Sequence, residues 1–346
     1  MGDAGSVVPA GWRDLRRIAR LAAIGTGATV AATAATGGLL LGQARQARRI
    51  IPMAEAPPPR CDGVYGAKLP GPPVTMVILG DSSAAGYGVH RRRETPGALL
   101  ATGLTRRLHR PVRVHRFAVV GALSAGLRPQ VESALEVDPD IAAILIGGND
   151  VTNRTSPPVA VRYLVDAVRK LRAAGCEVVV GTCPDLGAIR PIQPPLRWLA
   201  RRWSRQLAAA QTVAVVEAGG WTVSLGDLLG PRFAAEPARM FAWDRFHPSA
   251  EGYAVAAAAL LPTLLSALGA GQERRPSRAA QGVRSLPEAA HEAARHAGTE
   301  VSGIQVRGRD GGPGGRWAQL RRRAFFGVGA VPQPGSTESP TLEGLA

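Results

Sequence analysis

From Val74 onward, short runs of Val, Ile and Leu alternate with longer stretches in which apolar residues recur every three or four positions. The short runs predict strands at Val74–Leu79, Val112–Val120, Ile141–Ile146, Val178–Gly181 and Thr212–Val216. The longer stretches predict helices near Pro96–Leu108, Leu127–Glu136, Pro158–Ala174 and Leu196–Ala209, with a last one at about Ala250–Leu268. Strand and helix alternating at this spacing suit a parallel sheet with helices on both faces. The pattern therefore predicts a three-layer α/β/α sandwich with a five-stranded parallel sheet, carried by residues 74–268. In such a sheet the functional groups gather beyond the carboxyl ends of the strands.

The flanks read differently. Residues 1–20 are basic, with Arg13, Arg16, Arg17 and Arg20. Residues 21–42 carry no charge and, at about 1.5 Å per residue, are long enough to cross a bilayer core. A single-span anchor is the expectation, with the N-terminus inside and the domain outside. A cleaved signal peptide, giving a secreted protein, and a helix packed on the domain are the alternatives. Residues 43–73, with Ala56-Pro57-Pro58-Pro59 and Leu69-Pro70-Gly71-Pro72-Pro73, read as a semi-rigid linker. Residues 269–346 are polar, basic and poor in apolar periodicity, and read as a disordered tail with room for a short helix around Pro287–His296.

The formal net charge of +16 raises nucleic acid or an anionic membrane surface as a partner, but its distribution matters more than its size. Residues 1–60 carry +5, residues 61–270 carry +7 and residues 271–346 carry +4, so no single element concentrates it. Nucleic-acid binding is not expected. The three cysteines, Cys61, Cys176 and Cys183, form no C-x-x-C pair, and a zinc site is not expected. A strand between Cys176 and Cys183 would hold them too far apart to bridge. A bridge from Cys61 to either would suit an exported domain; three free thiols is the favoured reading.

The chemistry sits at the predicted strand ends. The first strand runs into Gly80-Asp81-Ser82-Ser83, where a serine at a helix start would expose its hydroxyl beside backbone N–H groups. Taken alone, Asp and Ser there are ordinary helix caps. The third strand runs into Gly147-Gly148-Asn149-Asp150, which offers close backbone approach and an amide donor, but is also common turn chemistry. The second strand brings Gly121 to the same edge. Just before the final helix lies Asp244-Arg245-Phe246-His247, in which a carboxylate three residues from an imidazole can orient it. The other five histidines, His90, His109, His115, His291 and His296, stand in arginine-rich or tail contexts and read as solvated.

Taken in order, Gly80-Asp81-Ser82, Gly121, Gly147-Gly148-Asn149-Asp150 and Asp244-Arg245-Phe246-His247 resemble the four blocks of the SGNH/GDSL hydrolase family, across roughly Val74 to Leu268. The resemblance implies a membrane-anchored bacterial member with the flavodoxin-like fold of that family. It implies a triad of Ser82, Asp244 and His247, and an oxyanion hole made of the Ser82 N–H, the Gly121 N–H and the Asn149 side chain. The chain departs from the family pattern in three places: Ser83 stands where Leu is usual, Arg116 where Asn is common, and Val120 where Ser often precedes the glycine. Gly126 is the alternative to Gly121. No Gly-x-Ser-x-Gly follows a strand, so the nucleophile-elbow type of α/β-hydrolase is excluded.

The expected reaction is hydrolysis of carboxylic (acyl or acetyl) esters through an acyl-enzyme, needing neither metal nor organic cofactor. The expected substrate is a small-molecule, lipid or glycan ester; the membrane is contacted through the N-terminal segment. The segment Ile189–Trp203, with Trp198, Trp203 and several arginines, reads as a packed helix with solvated arginines, or as a lid or membrane-facing surface. Two non-enzymatic alternatives are a tethered hydrolase-like binding module and a basic surface-interaction protein.

Overall fold

The apolar runs pair as a sheet because each strand has buried side chains on both faces. In the computed structural model, which describes residues 33–51 and 56–270, the central strand β2 (Val74–Gly80) buries six of its seven residues. It pairs in parallel with β3 (Val112–Arg116) on one side and β4 (Ile141–Leu145) on the other. Beyond β4 lie β5 (Glu177–Gly181) and β6 (Trp221–Val223), also parallel. Ahead of these in the chain, β1 (Gly63–Tyr65) pairs antiparallel with β3, with Val64 opposite Arg113. The order is β1-β3-β2-β4-β5-β6.

Side chains alternate across this sheet, so successive residues of one strand feed two cores. Met76, Ile78, Ala143 and Val179 face one way and pack under α3 (Pro96–Leu108), α8 (Leu225–Ala235) and α10 (Ala250–Ala267). Val77, Leu79, Ile144, Val178 and Val180 face the other way, against α4 (Leu127–Leu135), α6 (Pro157–Ala173) and Val215 of α7 (Leu196–Glu217). Each Leu, Ile or Val removed from water here contributes about 1.5–3 kcal/mol. Thr95 caps α3 ahead of Pro96 at its first position, and the Ser249 hydroxyl caps α10 through the Gly252 N–H. By length and composition alone α10 could cross a bilayer, but Ala256, Ala257, Leu260 and Leu264 are buried in the first core, which makes it a core helix.

A third apolar cluster lies beside the sheet. There the helix of residues 33–50 (α1) lays Ala47 against Ala200 and Leu207 of α7, with Leu186 and Ile189 from the segment after β5. Gln43 fixes this contact from both ends, its amide donating to the Pro194 carbonyl at 2.6 Å and accepting from the Leu196 N–H at 3.1 Å.

The three-layer architecture is as expected, but the sheet differs in two respects. It is a mixed sheet of six strands rather than a parallel sheet of five. The run Thr212–Val216, expected as a strand, is the last part of α7. A short β-branched run carries no period of its own, and here a helical face of Leu207, Ala208, Gln211 and Val215 packs inward while Gly219 and Gly220 postpone the strand to β6. Within the stretch expected as a linker, Gly63–Tyr65 forms β1 and Cys61 is buried against Gly97 of α3. All three cysteines are buried as free thiols. Residues 1–32, most of the expected anchor, and 271–346, nearly all of the expected tail, lie outside the described residues; 33–42 are helical.

Candidate active site

Ser82 owes its place to a crowded strand end. Gly80 has φ +132°, and a Cβ there would lie 1.9 Å from the Leu145 carbonyl oxygen, so only glycine lets β2 and β4 close up at this point. The next residue, Asp81, donates its N–H to that same carbonyl at 3.0 Å. Its carboxylate accepts from the Ser83 N–H at 2.8 Å and caps the one-turn helix α2 (Ser82–Ala85), which Gly86 closes at φ +82°. Ser82 is thus a first-turn residue whose N–H has no intrahelical carbonyl to reach. Burial pushes the Asp81 carboxyl up to about 6, against the pull of the Ser83 N–H and of His247.

Asp244 and His247 come from one loop between α9 (Pro237–Met240) and α10. The loop folds back on itself: the Ala242 N–H donates to the His247 carbonyl at 2.8 Å, and Arg245 takes φ +56° to make the turn. Asp244 is fully buried. One of its oxygens accepts the Phe246 and His247 N–H groups at 2.9 and 3.0 Å; the other lies 2.5 Å from His247 Nδ1. Burial would raise the Asp244 pKa, but the His247 ring and these N–H donors outweigh it and hold the carboxylate below its ordinary range. His247 Nε2 lies 2.8 Å from Ser82 Oγ. The ring is flanked by Tyr87 at 4.4 Å and Phe246 at 4.9 Å between centroids. Tyr253 of α10 donates its hydroxyl to the Tyr87 carbonyl at 2.7 Å, tying the helix after the loop to the turn after Ser82. With Nδ1–H directed at a carboxylate, Nε2 presents its lone pair to the serine hydroxyl.

Asn149 reaches the same region from α5 (Gly148–Thr152), directly after β4. One of its amide hydrogens goes to the Ala122 carbonyl, with Nδ2 at 3.1 Å, which leaves a second donor. Its neighbour Asp150 is fully buried and accepts the Ser124 N–H and hydroxyl, the latter at 2.8 Å, pinning the 121–126 segment from below. Gly121 occupies an exposed turn at φ +82°, and its N–H has no partner among the described residues. The alternative, Gly126, has already committed its N–H to the Leu123 carbonyl at 2.8 Å.

A cavity of about 100 Å³ adjoins these groups, lined by Ser82, Asn149 and His247 and by apolar side chains including Leu145, Leu225, Leu229 and Phe233. Neither Gly121 nor Gly126 is among its lining residues. His90, His109 and His115 do not line it either, and His291 and His296 lie outside the described residues. Among the described residues no group of three or more His, Cys, Asp or Glu is arranged to hold a metal ion.

Two residues important to this geometry escaped the sequence reading. Gln130 of α4, buried, accepts the Gly80 N–H at 2.7 Å and donates to the Gly80 carbonyl at 2.9 Å. Gln211 of α7 does the same for the next pair of strands, accepting from the Cys183 N–H at 2.7 Å and donating to the Ile146 carbonyl at 3.1 Å. Parallel strands that end beneath a site leave backbone groups unpaired, and each glutamine supplies the missing donor and acceptor. The signal was present: each is an uncharged amide within the apolar stripe of its helix. Arg116, at the position where the family often has Asn, donates instead to the Ala85 carbonyl at 3.0 Å and so ties β3 to α2.

The model of the GDSL-like lipase/acylhydrolase family matches residues 78–255. The chain is 45% identical over 260 residues to a GDSL-like esterase of Mycobacterium tuberculosis, covering 70% of this chain and 82% of that one. Among solved structures, TesA is 23% identical with a TM-score of 0.44, covering 56% of this chain and 97% of that one. A catalytic mutant of Axe2, an acetylxylan esterase from Geobacillus stearothermophilus, is 20% identical with a TM-score of 0.43, covering 58% and 97%.

Proposed function

The chain belongs to the GDSL-like lipase/acylhydrolase family and is a carboxylic ester hydrolase; from that premise we propose that Ser82, His247 and Asp244 form its catalytic triad and that it works through an acyl-enzyme. One observation carries the proposal: the unbroken chain from Asp244 through both ring nitrogens of His247 to Ser82 Oγ, with steps of 2.5 and 2.8 Å. As Ser82 Oγ attacks the ester carbonyl carbon, its proton passes to His247 Nε2, and Asp244 stabilises the imidazolium that results. The carbonyl oxygen becomes an oxyanion, for which the Ser82 N–H and the second hydrogen of the Asn149 amide are the nearest donors, with the unpartnered Gly121 N–H, outside the cavity lining, as the third candidate. The C–O bond then breaks, His247 returns the proton to the departing alcohol, and the acyl group stays on Ser82. A water molecule, deprotonated by His247 in turn, releases the acid and restores the serine.

The apolar cavity beside Ser82 suits the acyl portion of the ester, which makes a hydrocarbon acyl group the better-fitting substrate class. Residues 21–42 are assigned as a membrane anchor with the domain outside, on the strength of their uncharged length; cleavage of that segment would give a secreted enzyme. The test is hydrolysis of p-nitrophenyl esters of increasing acyl length by the wild-type chain and Ser82→Ala. The expected result is turnover at least about 10⁴-fold lower in the variant at every length. Wild-type turnover by a folded Ser82→Ala sample overturns the assignment.

A further inference from the structure

We infer that the corner where α1 meets the start of α7 is a docking surface for an anionic lipid bilayer. Residues 33–51 and 186–216 together hold eight arginines and no carboxylate. Two of these, Arg201 and Arg205, are ion-paired with the buried Asp185. Arg45, Arg48, Arg49, Arg197 and Arg202 form no ion pair with any described residue, and Arg202 and the three on α1 are exposed. Beside them on α7 stands Trp198, 65% exposed, with Trp203, 36% exposed, five residues further along. On α1, Leu39, Leu41 and Ile50 are exposed as well.

This combination is favourable at a membrane interface. An indole ring prefers the headgroup level, where its apolar body and its N–H are both satisfied, and arginines beside it meet the negative surface potential of anionic lipids. Charge complementarity points to a bilayer rather than to an apolar protein partner. So does the direction of the chain, because the uncharged stretch of residues 21–42 runs into α1, whose Gln43 and Ala47 bind it to this corner. The docking surface also backs onto the cavity: Leu186 and Ile189 line it on one side and pack with Ala47 and Ala200 on the other. Docking therefore brings the ester-binding cavity close to lipid, and the consequence for substrate (an ester presented at the bilayer surface) rests on the function proposed above, whereas the docking itself does not.

The experiment uses the full chain and vesicles of either phosphatidylcholine alone or phosphatidylcholine with about one-third phosphatidylglycerol. Residues 21–42 can tether the chain to both, so the readout is the ratio of partitioning between the two vesicles, together with quenching of Trp198 by brominated lipid. Wild type is expected to prefer the anionic vesicles by about tenfold or more. The Arg48→Glu/Arg202→Glu variant is expected to lose that preference, and Trp198→Phe to lose the quenching increment, while both hydrolyse a soluble ester as wild type does, which reports an intact fold. Ser82→Ala is expected to bind as wild type while failing to hydrolyse, separating docking from catalysis. An anionic preference unchanged by the double reversal overturns the inference. So does protection of Trp198 by a soluble polyanion but not by anionic vesicles.

Discussion

Replacing Gln130 tests whether the strand end beneath Ser82 is held by one buried amide. In Gln130→Leu the volume is nearly kept, but the Gly80 N–H loses its partner at 2.7 Å and the Gly80 carbonyl loses one of two, keeping the Val119 N–H at 3.1 Å. An orphaned buried donor costs about 1–3 kcal/mol, and the lost bond to the carbonyl adds a fraction of the usual 0.5–1.5 kcal/mol, for about 2–3 kcal/mol in all. Gln130→Glu sharpens the test. Its protonated form supplies both an acceptor and a donor, whereas its ionised form supplies only acceptors in a buried site. The folded-state pKa of that carboxyl is therefore raised, and its stability is fully present below the unfolded value and lost as pH rises through the folded one. Urea unfolding of the three proteins at pH 4.5 and 7.5 measures this, with Gln130→Glu near wild type at the lower pH and near or below Gln130→Leu at the higher. Because Ser82 lies two residues beyond Gly80, kcat is also expected to fall by about tenfold or more in Gln130→Leu. A Gln130→Leu variant within about 0.5 kcal/mol of wild type would refute the reasoning.

If Asn149 is the oxyanion donor proposed above, Asn149→Ala is expected to lower kcat by about 10²–10³ with little change in KM, as steady-state kinetics on a soluble ester would show, since only one of its amide hydrogens is used by the Ala122 carbonyl. Asp81 works in the opposite sense to Asp244. Its folded pKa is raised from an ordinary 3.8 to about 6, so the protein loses stability as pH rises between those values, by about 3 kcal/mol. Asp81→Asn keeps an acceptor for the Ser83 N–H and cannot ionise, so thermal melts from pH 4 to 7.5 are expected to lack that fall and to place the variant above wild type at pH 7.5.

What could be read from the chain alone followed how local the determinants were. The motifs holding Ser82 and Asn149 stand at the ends of apolar runs and the one holding Asp244 and His247 stands just before the last helix, so periodicity and motif together made these four the candidates. The convergence of Ser82 on His247, separated by 165 positions, needed the fold. Gln130 and Gln211 were missed because their partners lie 50, 28 and 65 positions away and nothing in their own helices names those partners. Thr212–Val216 misled because β-branched residues suit a strand locally, while the burial of Gln211 and Val215 against the sheet decided for helix. Strand β1 was hidden by the prolines and glycines on either side of its three residues.

That small strand has a consequence for edge-to-edge pairing between copies of the chain. The sheet has two borders, β1 and β6, and each is only three residues long. A short border offers another chain little to pair with, which is a common safeguard against edge-to-edge aggregation. Without β1 the border would be β3, five residues alternating Val and Arg or His, whose backbone groups would be open along its length. A chain trimmed to begin at Val74 would keep Ser82, Asn149, Asp244 and His247 and lose its selvedge.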